Sequence, residues 1–199
     1  MKKEQTMKSA EEKTVIYNKQ FNTNHNWMKL IAKPPKYWKE ISKDCQLSEE
    51  FIDAYQDELD WLFISRYQKL TDDFIRCHIN KIKFGAISQY QKLSESFIRD
   101  YQNKVDWENI SKYQKLSEDF IREFKDKVNW YRISNYQTLS EDFIREFKDK
   151  VDWDCISYKQ QTLSEDFIRE FADKVHWNAI FIYQKLTPEF KEEFKDKIR

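Results

Sequence analysis

Leucine recurs at positions 47, 70, 93, 116 and 139, each 23 residues after the last, and then at 163 and 186 after one 24-residue step. Trp38, Trp61, Phe84, Trp107, Trp130, Trp153 and Trp177 keep the same spacing. A period of roughly 20 to 50 residues marks an array of small units, because a unit of that size cannot bury its own apolar face and must pack on its neighbours. The full copies are residues 47–69, 70–92, 93–115, 116–138, 139–162 and 163–185, followed by a half-copy at 186–199.

Within 116–138, Leu116, Phe120, Phe124 and Val128 recur every four residues and so share one helical face. Ser117 is placed as an N-cap, Glu118 and Asp119 follow where negative charge complements the helix dipole, and Leu116 with Ile121 has the spacing of a hydrophobic staple. A second start follows at Asn129, with Val128 and Ile133 again at staple spacing and Trp130, Ile133 and Tyr136 as a short apolar stripe. The first cap is Ser or Thr in every copy, from Ser48 and Thr71 to Thr187, where Pro188 takes the first helical position.

One continuous helix is excluded by arithmetic. At 100° per residue a 23-residue period rotates the apolar stripe by about 140° from copy to copy, so no common face survives. Two short helices per copy restore one, although the connection between them looks shorter than the usual two to about eight residues. The pattern therefore predicts an all-α protein of tandem helix-pair repeats forming a short α-solenoid, a curved rod roughly 65 Å long.

The flanks are less regular. Residues 1–20 are polar and Lys-rich and are expected to form a mobile basic arm. Residues 21–46 hold a degenerate capping unit, from about Trp27 to Gln46, in which Trp38 and Ile41 match the second helix and Pro34-Pro35 breaks the pattern. In the half-copy 186–199, Lys191 and Glu192 replace the usual Ile-Arg, as a solvent-facing cap requires.

Charge changes this picture little. Residues 1–46 contain ten lysines and no arginine against four glutamates and one aspartate, a net +5; the chain balances 35 basic against 35 acidic residues, which leaves −5 for the repeats. No global field draws the molecule to nucleic acid or an anionic membrane. Cys45, Cys77 and Cys155 are an odd set without CxxC spacing, read as free thiols, and no apolar run approaches a membrane span, so an intracellular, cytoplasmic address is expected.

The unit LSEDFIREFKDKVxWxxISxYQ, written out in 116–137 and 139–157, resembles short repeats of uncharacterised proteins from giant DNA viruses and from phages and bacteria with AT-rich genomes. The resemblance covers residues 47–199 and implies a viral or mobile-element setting; it implies no chemistry.

Catalytic, metal and cofactor constellations are not expected. The repeated serines are already committed as caps, His25, His78 and His176 fall in unrelated positions, and Cys77-His78 has no second pair to complete four zinc ligands. Gly85 is the only glycine, so no phosphate-cradling loop exists. Arg76, Arg99, Arg122, Arg145 and Arg169 recur once per copy, which would suit one-nucleotide-per-repeat binding. Each, however, follows an acid by four residues, and Glu123-Lys127, Glu146-Lys150 and Glu170-Lys174 repeat that spacing, so intrahelical ion pairs are the expected use. The Trp, Tyr and Phe set is assigned to the core rather than to stacking bases.

Variation singles out one surface. On the second helix the two residues after Trp, and the residue two after Ile, differ from copy to copy, and they fall in one arc away from the Trp-Ile-Tyr stripe. Leu62, Phe63, Arg66, Glu108, Asn109, Lys112, Tyr131, Arg132 and Asn135 are therefore the candidate partner-binding residues. The expected function is a non-enzymatic protein–protein interaction module, in the viral or phage setting one that binds and modulates a host protein. The alternative is a nucleic-acid binder that uses the basic arm.

Overall fold

The computed structural model describes residues 8–26, 28–29, 32–158 and 161–197, and the regular structure among them is helical. The chain divides into two compact units, Met1–Lys104 and Val105–Arg199.

The first unit contains α1 (Ala10–Phe21), α2 (Pro35–Asp44), α3 (Glu49–Ala54), α4 (Trp61–Tyr67), α5 (Asp72–Cys77), α6 (Phe84–Tyr90) and α7 (Glu95–Asp100). The second contains α8 (Trp107–Tyr113), α9 (Glu118–Glu123), α10 (Trp130–Tyr136), α11 (Glu141–Glu146), α12 (Trp153–Tyr158), α13 (Glu165–Glu170), α14 (Trp177–Tyr183) and α15 (Pro188–Glu193), with a 3-10 turn at Lys195–Lys197. Second helices stack on one another, α2 on α4 on α6 in the first unit and α8 on α10 on α12 on α14 in the second. Within each unit this is the packing of a helical-repeat solenoid.

The caps lie where the spacing puts them. Ser117 Oγ accepts from Phe120 N, and the same bond is made by Ser48, Thr71, Ser94, Ser140, Ser164 and Thr187. Asn129 caps α10, as Asp60 and Asp106 cap α4 and α8. His176 fills the same slot before α14, where its ring nitrogen accepts from Ala179 N at 3.3 Å, so this histidine is a cap rather than a stray residue. The first helix is shorter than its apolar pattern suggests: α9 ends at Glu123, and Phe124 to Asn129 form the connection. That segment has ordinary loop length, which removes the apparent shortage. Val128 N still donates to Phe124 O at 3.0 Å, so the four-residue apolar period runs on through the turn.

The aromatic residues hold neighbouring copies together. Phe143 and Phe167 are fully buried, and Trp107, Trp130, Trp153 and Trp177 each lie over the next copy's pair of phenyl rings. Trp130 sits 4.9 Å from Phe147 and 6.3 Å from Phe143, and Trp153 sits 4.8 Å from Phe171. The indole Nε1 donates to the carbonyl five residues earlier, as Trp130 does to Lys125 O at 2.9 Å, which satisfies the one polar atom of a largely covered ring. His78 stands in the slot that holds Phe124 and Phe147 elsewhere, stacked 4.2 Å from Phe74 and 5.2 Å from Trp61.

The basic N-terminal arm is corrected in its described part. Residues 1–7 lie outside the described residues, but Ala10–Phe21 is a helix with a Ser9–Glu12 capping box. It buries Ile16 and Tyr17, packs on α3, and sets Lys8, Lys13 and Lys19 against Asp53, Glu58 and Glu50 at 3.0, 3.1 and 3.0 Å. The apolar positions 16 and 17 and the complementary acids of the next copy outweigh the polarity of the segment. The leading unit therefore pairs α1 with α2; Trp27 lies outside the described residues, and Pro34 and Pro35 serve as N-cap and first helical residue of α2.

Candidate interaction surface

Two buried polar ladders make the stacked helices a fixed frame. Ser42, Ser65, Ser88, Ser111, Ser134 and Ser157 are completely buried on the second helices. Ser111 Oγ donates to Trp107 O at 2.6 Å and accepts from Asn129 N at 2.9 Å, and Ser134 accepts from Asp152 N at 2.9 Å. The hydroxyl thus closes its own helix and fastens the start of the next copy's second helix. In α14 this position is Phe181.

The glutamine after Tyr makes the second ladder. Gln91 Nε2 donates to Ser65 O at 2.9 Å and Gln68 O at 2.7 Å, while its Oε1 accepts from Leu70 N at 3.1 Å. Gln137 repeats all three bonds two copies on, with Ser111 O, Gln114 O and Leu116 N. Neither ladder was foreseen from the sequence; the signal was the recurrent serine, replaced only by Phe181 in the last copy, and the glutamine of the ISxYQ segment.

The repeated arginines make the expected contacts with the acid four residues earlier, at 3.7 to 3.9 Å for Arg99, Arg122, Arg145 and Arg169, and Arg122, Arg145 and Arg169 add shorter ones to the next copy. Arg145 lies 3.7 Å from Glu141, but its guanidinium approaches Glu170 of the next copy at 2.7 Å and covers the Phe167 ring at 5.1 Å. Arg122 and Arg169 do the same with Glu146 and Glu193, at 2.7 and 3.0 Å, and Arg76 reaches Asp100 at 2.6 Å. Glu146 and Glu170 therefore answer arginines of the preceding copy, and Lys150 pairs with Asp126 at 3.0 Å. The acid four residues before each arginine is occupied in turn: Glu118 Oε1 accepts from Ser140 N at 2.6 Å and Glu165 Oε1 from Thr187 N at 2.6 Å. That backbone bond, with the Arg169 charge, holds the Glu165 carboxyl below the usual carboxylate range.

The remaining outward residues of the second helices form the candidate surface. Of those singled out by variation, Leu62 and Arg66 on α4 are exposed in the first unit, and Glu108, Tyr131 and Asn135 are exposed in the second. Phe63 is half-buried under Lys39, whose Nζ is 5.4 Å from the ring. Asn109 is turned inward, with Nδ2 3.1 Å from Asp106 Oδ2. Arg132 donates to Glu108 Oε1 at 2.8 Å, lies 5.4 Å from the Tyr131 ring and keeps its Nε buried. In the second unit the structure thus brings Glu108, Lys112, Tyr131, Arg132 and Asn135 together on α8 and α10.

The tyrosines belong to this surface and not to the core. Tyr67, Tyr90, Tyr113, Tyr136, Tyr158 and Tyr183 are each 41 to 50% exposed. In the helix from Trp130, Ser134 lies about 40° from the Trp direction and Tyr136 about 120°, so the small hydroxyl takes the inner place and the ring turns out. Cations lie between successive rings. Arg66 is 5.2 Å from the Tyr67 ring and 4.8 Å from Tyr90; Lys112 is 4.7 Å from Tyr113 and 5.1 Å from Tyr136. A bond with the Tyr113 hydroxyl holds the Lys112 ammonium above the usual lysine range.

Among the described residues no three His, Cys, Asp or Glu side chains converge as metal ligands, and no helix is long and apolar enough to cross a membrane. Comparison with known proteins returns no matching family model, no similar curated protein and no similar solved structure.

Proposed function

We propose that the chain is a non-enzymatic repeat protein that binds another protein through the outward face of its second helices; in the viral or phage setting implied by the repeat's resemblance, that partner is a host protein. The supporting observation is a division of labour between faces. On the first helices, Arg76, Arg122, Arg145 and Arg169 are neutralised by carboxylates of the following copy, so the once-per-repeat positive series that a nucleic-acid backbone would need is already engaged. On the second helices of each unit, half-exposed tyrosines, joined by Leu62 in the first unit and by Tyr131 in the second, form an amphipathic surface of the residue types that anchor protein interfaces.

The test is site-directed photo-crosslinking in cell extract. A benzophenone side chain at Tyr131 should give discrete protein adducts that survive nuclease treatment. The same group at Asp166, on the first helix and 94% exposed, should give none. Equal adducts from both positions, or adducts lost to nuclease, would overturn the reading.

A further inference from the structure

A cation follows the buried serine at Lys43, Arg66 and Lys112, and at the last two a second lysine lies three residues on, Lys69 and Lys115, both exposed. In the second unit Lys112, Lys115, Tyr113, Tyr136 and Thr138 line a groove of about 330 Å³ between the ends of α8 and α10. Every ionisable side chain of that lining is a lysine or a tyrosine, and no carboxylate takes part. Neither Lys112 nor Lys115 has an ion-pair partner among the described residues, in contrast to Arg122, Arg145 and Lys150 of the same unit.

We propose that this groove binds carboxylate side chains of an acidic peptide segment. The inference rests on the protein-binding reading above and names the partner's chemistry. Two ammonium groups and two phenol hydroxyls offer donors to an anion in a half-enclosed space, where a charge-assisted bond is stronger than on an open surface. A single-stranded nucleic acid fits less well. The Lys112 ammonium sits against both tyrosine rings, so one face of each is already taken by a cation and is lost to base stacking.

Fluorescence anisotropy of the full chain with a labelled peptide of alternating Glu and Ala tests this, with oligo-dT of equal charge as competitor. Salt-sensitive peptide binding is expected. Lys115→Glu, which alters an exposed residue, should weaken it at least about tenfold, Lys112→Arg should keep it, and Lys125→Glu on the other face should change it less than about twofold. Absence of peptide binding, an equal loss with Lys125→Glu, or tighter binding of oligo-dT would each overturn the proposal. None of these decides whether Tyr131 crosslinks a protein, so the two readings fail separately.

Discussion

Gln137 reaches back one copy to donate to the Gln114 carbonyl at 2.8 Å, while its own Oε1 accepts from the amide of Leu116. One side chain thus closes the end of a helix 23 residues away and pins the start of the next. Its replacement leaves three backbone groups without partners in a buried setting.

Gln137→Leu should therefore cost more than its similar volume suggests, at least about 3 kcal/mol at roughly 1–3 kcal/mol per unsatisfied buried group. Thr138→Ala, at the exposed neighbour, should stay within about 0.5 kcal/mol. Urea denaturation midpoints compare the two. Equal and small effects would show that the ladder contributes nothing.

Copy 70–92 carries local defects that can be repaired. Lys83 makes no side-chain cap to α6, and a Cβ added at Gly85 meets no atom within 4 Å. Gly85→Ala should stabilise by about 0.5–1 kcal/mol and Lys83→Asp by a further ~1 kcal/mol. Native-state hydrogen exchange should be fastest in 70–92 among the internal copies of the wild type and should slow there in the double variant. Uniform protection before and after would refute the account.

The arginine bridges predict a measurable asymmetry. A double-mutant cycle of Arg145 with Glu170, 2.7 Å away in the next copy, should give a larger coupling than the cycle with Glu141, at 3.7 Å in the same helix. Half-molar salt should shrink the larger value. The opposite ranking would restore the intrahelical pairing as the dominant one.

Acid should loosen the repeats. The Lys150 ammonium holds Asp126 below the usual carboxylate range, and the Thr187 amide does so for Glu165. A carboxyl depressed in the folded state stabilises above its unfolded value and loses that contribution as pH falls through the folded one. The urea midpoint should thus be level between pH 8 and 5 and decline below about pH 4. Glu165→Gln should lower the plateau and flatten the decline, and an unchanged profile would show that this contact does not couple folding to protons.

The fold was legible from spacing because caps, staples and apolar faces act over four residues or fewer. Ser117 and Phe120, or Asn129 and Arg132, meet whatever the rest of the chain does. The candidate surface was legible only in part. Leu62, Tyr131 and Asn135 face outward as variation suggested, but Asn109 turns back to its cap, Arg132 bridges to Glu108, and the tyrosines assigned to the core stand on the surface.

By itself, then, the sequence determined the 23-residue unit, its two helices and the start of each, since those follow from bond geometry within a turn and from the need to bury a repeated apolar stripe. Only the tertiary structure decided which groups meet across copies. Ser111 and Asn129, Gln137 and Gln114, Arg145 and Glu170 lie 18 to 25 residues apart. Whether they touch depends on how far one helix pair is offset and rotated on the next, a quantity fixed by the packing of Trp on Phe. The same offset leaves the serine inside and the tyrosine outside, because only the smaller group fits between stacked second helices.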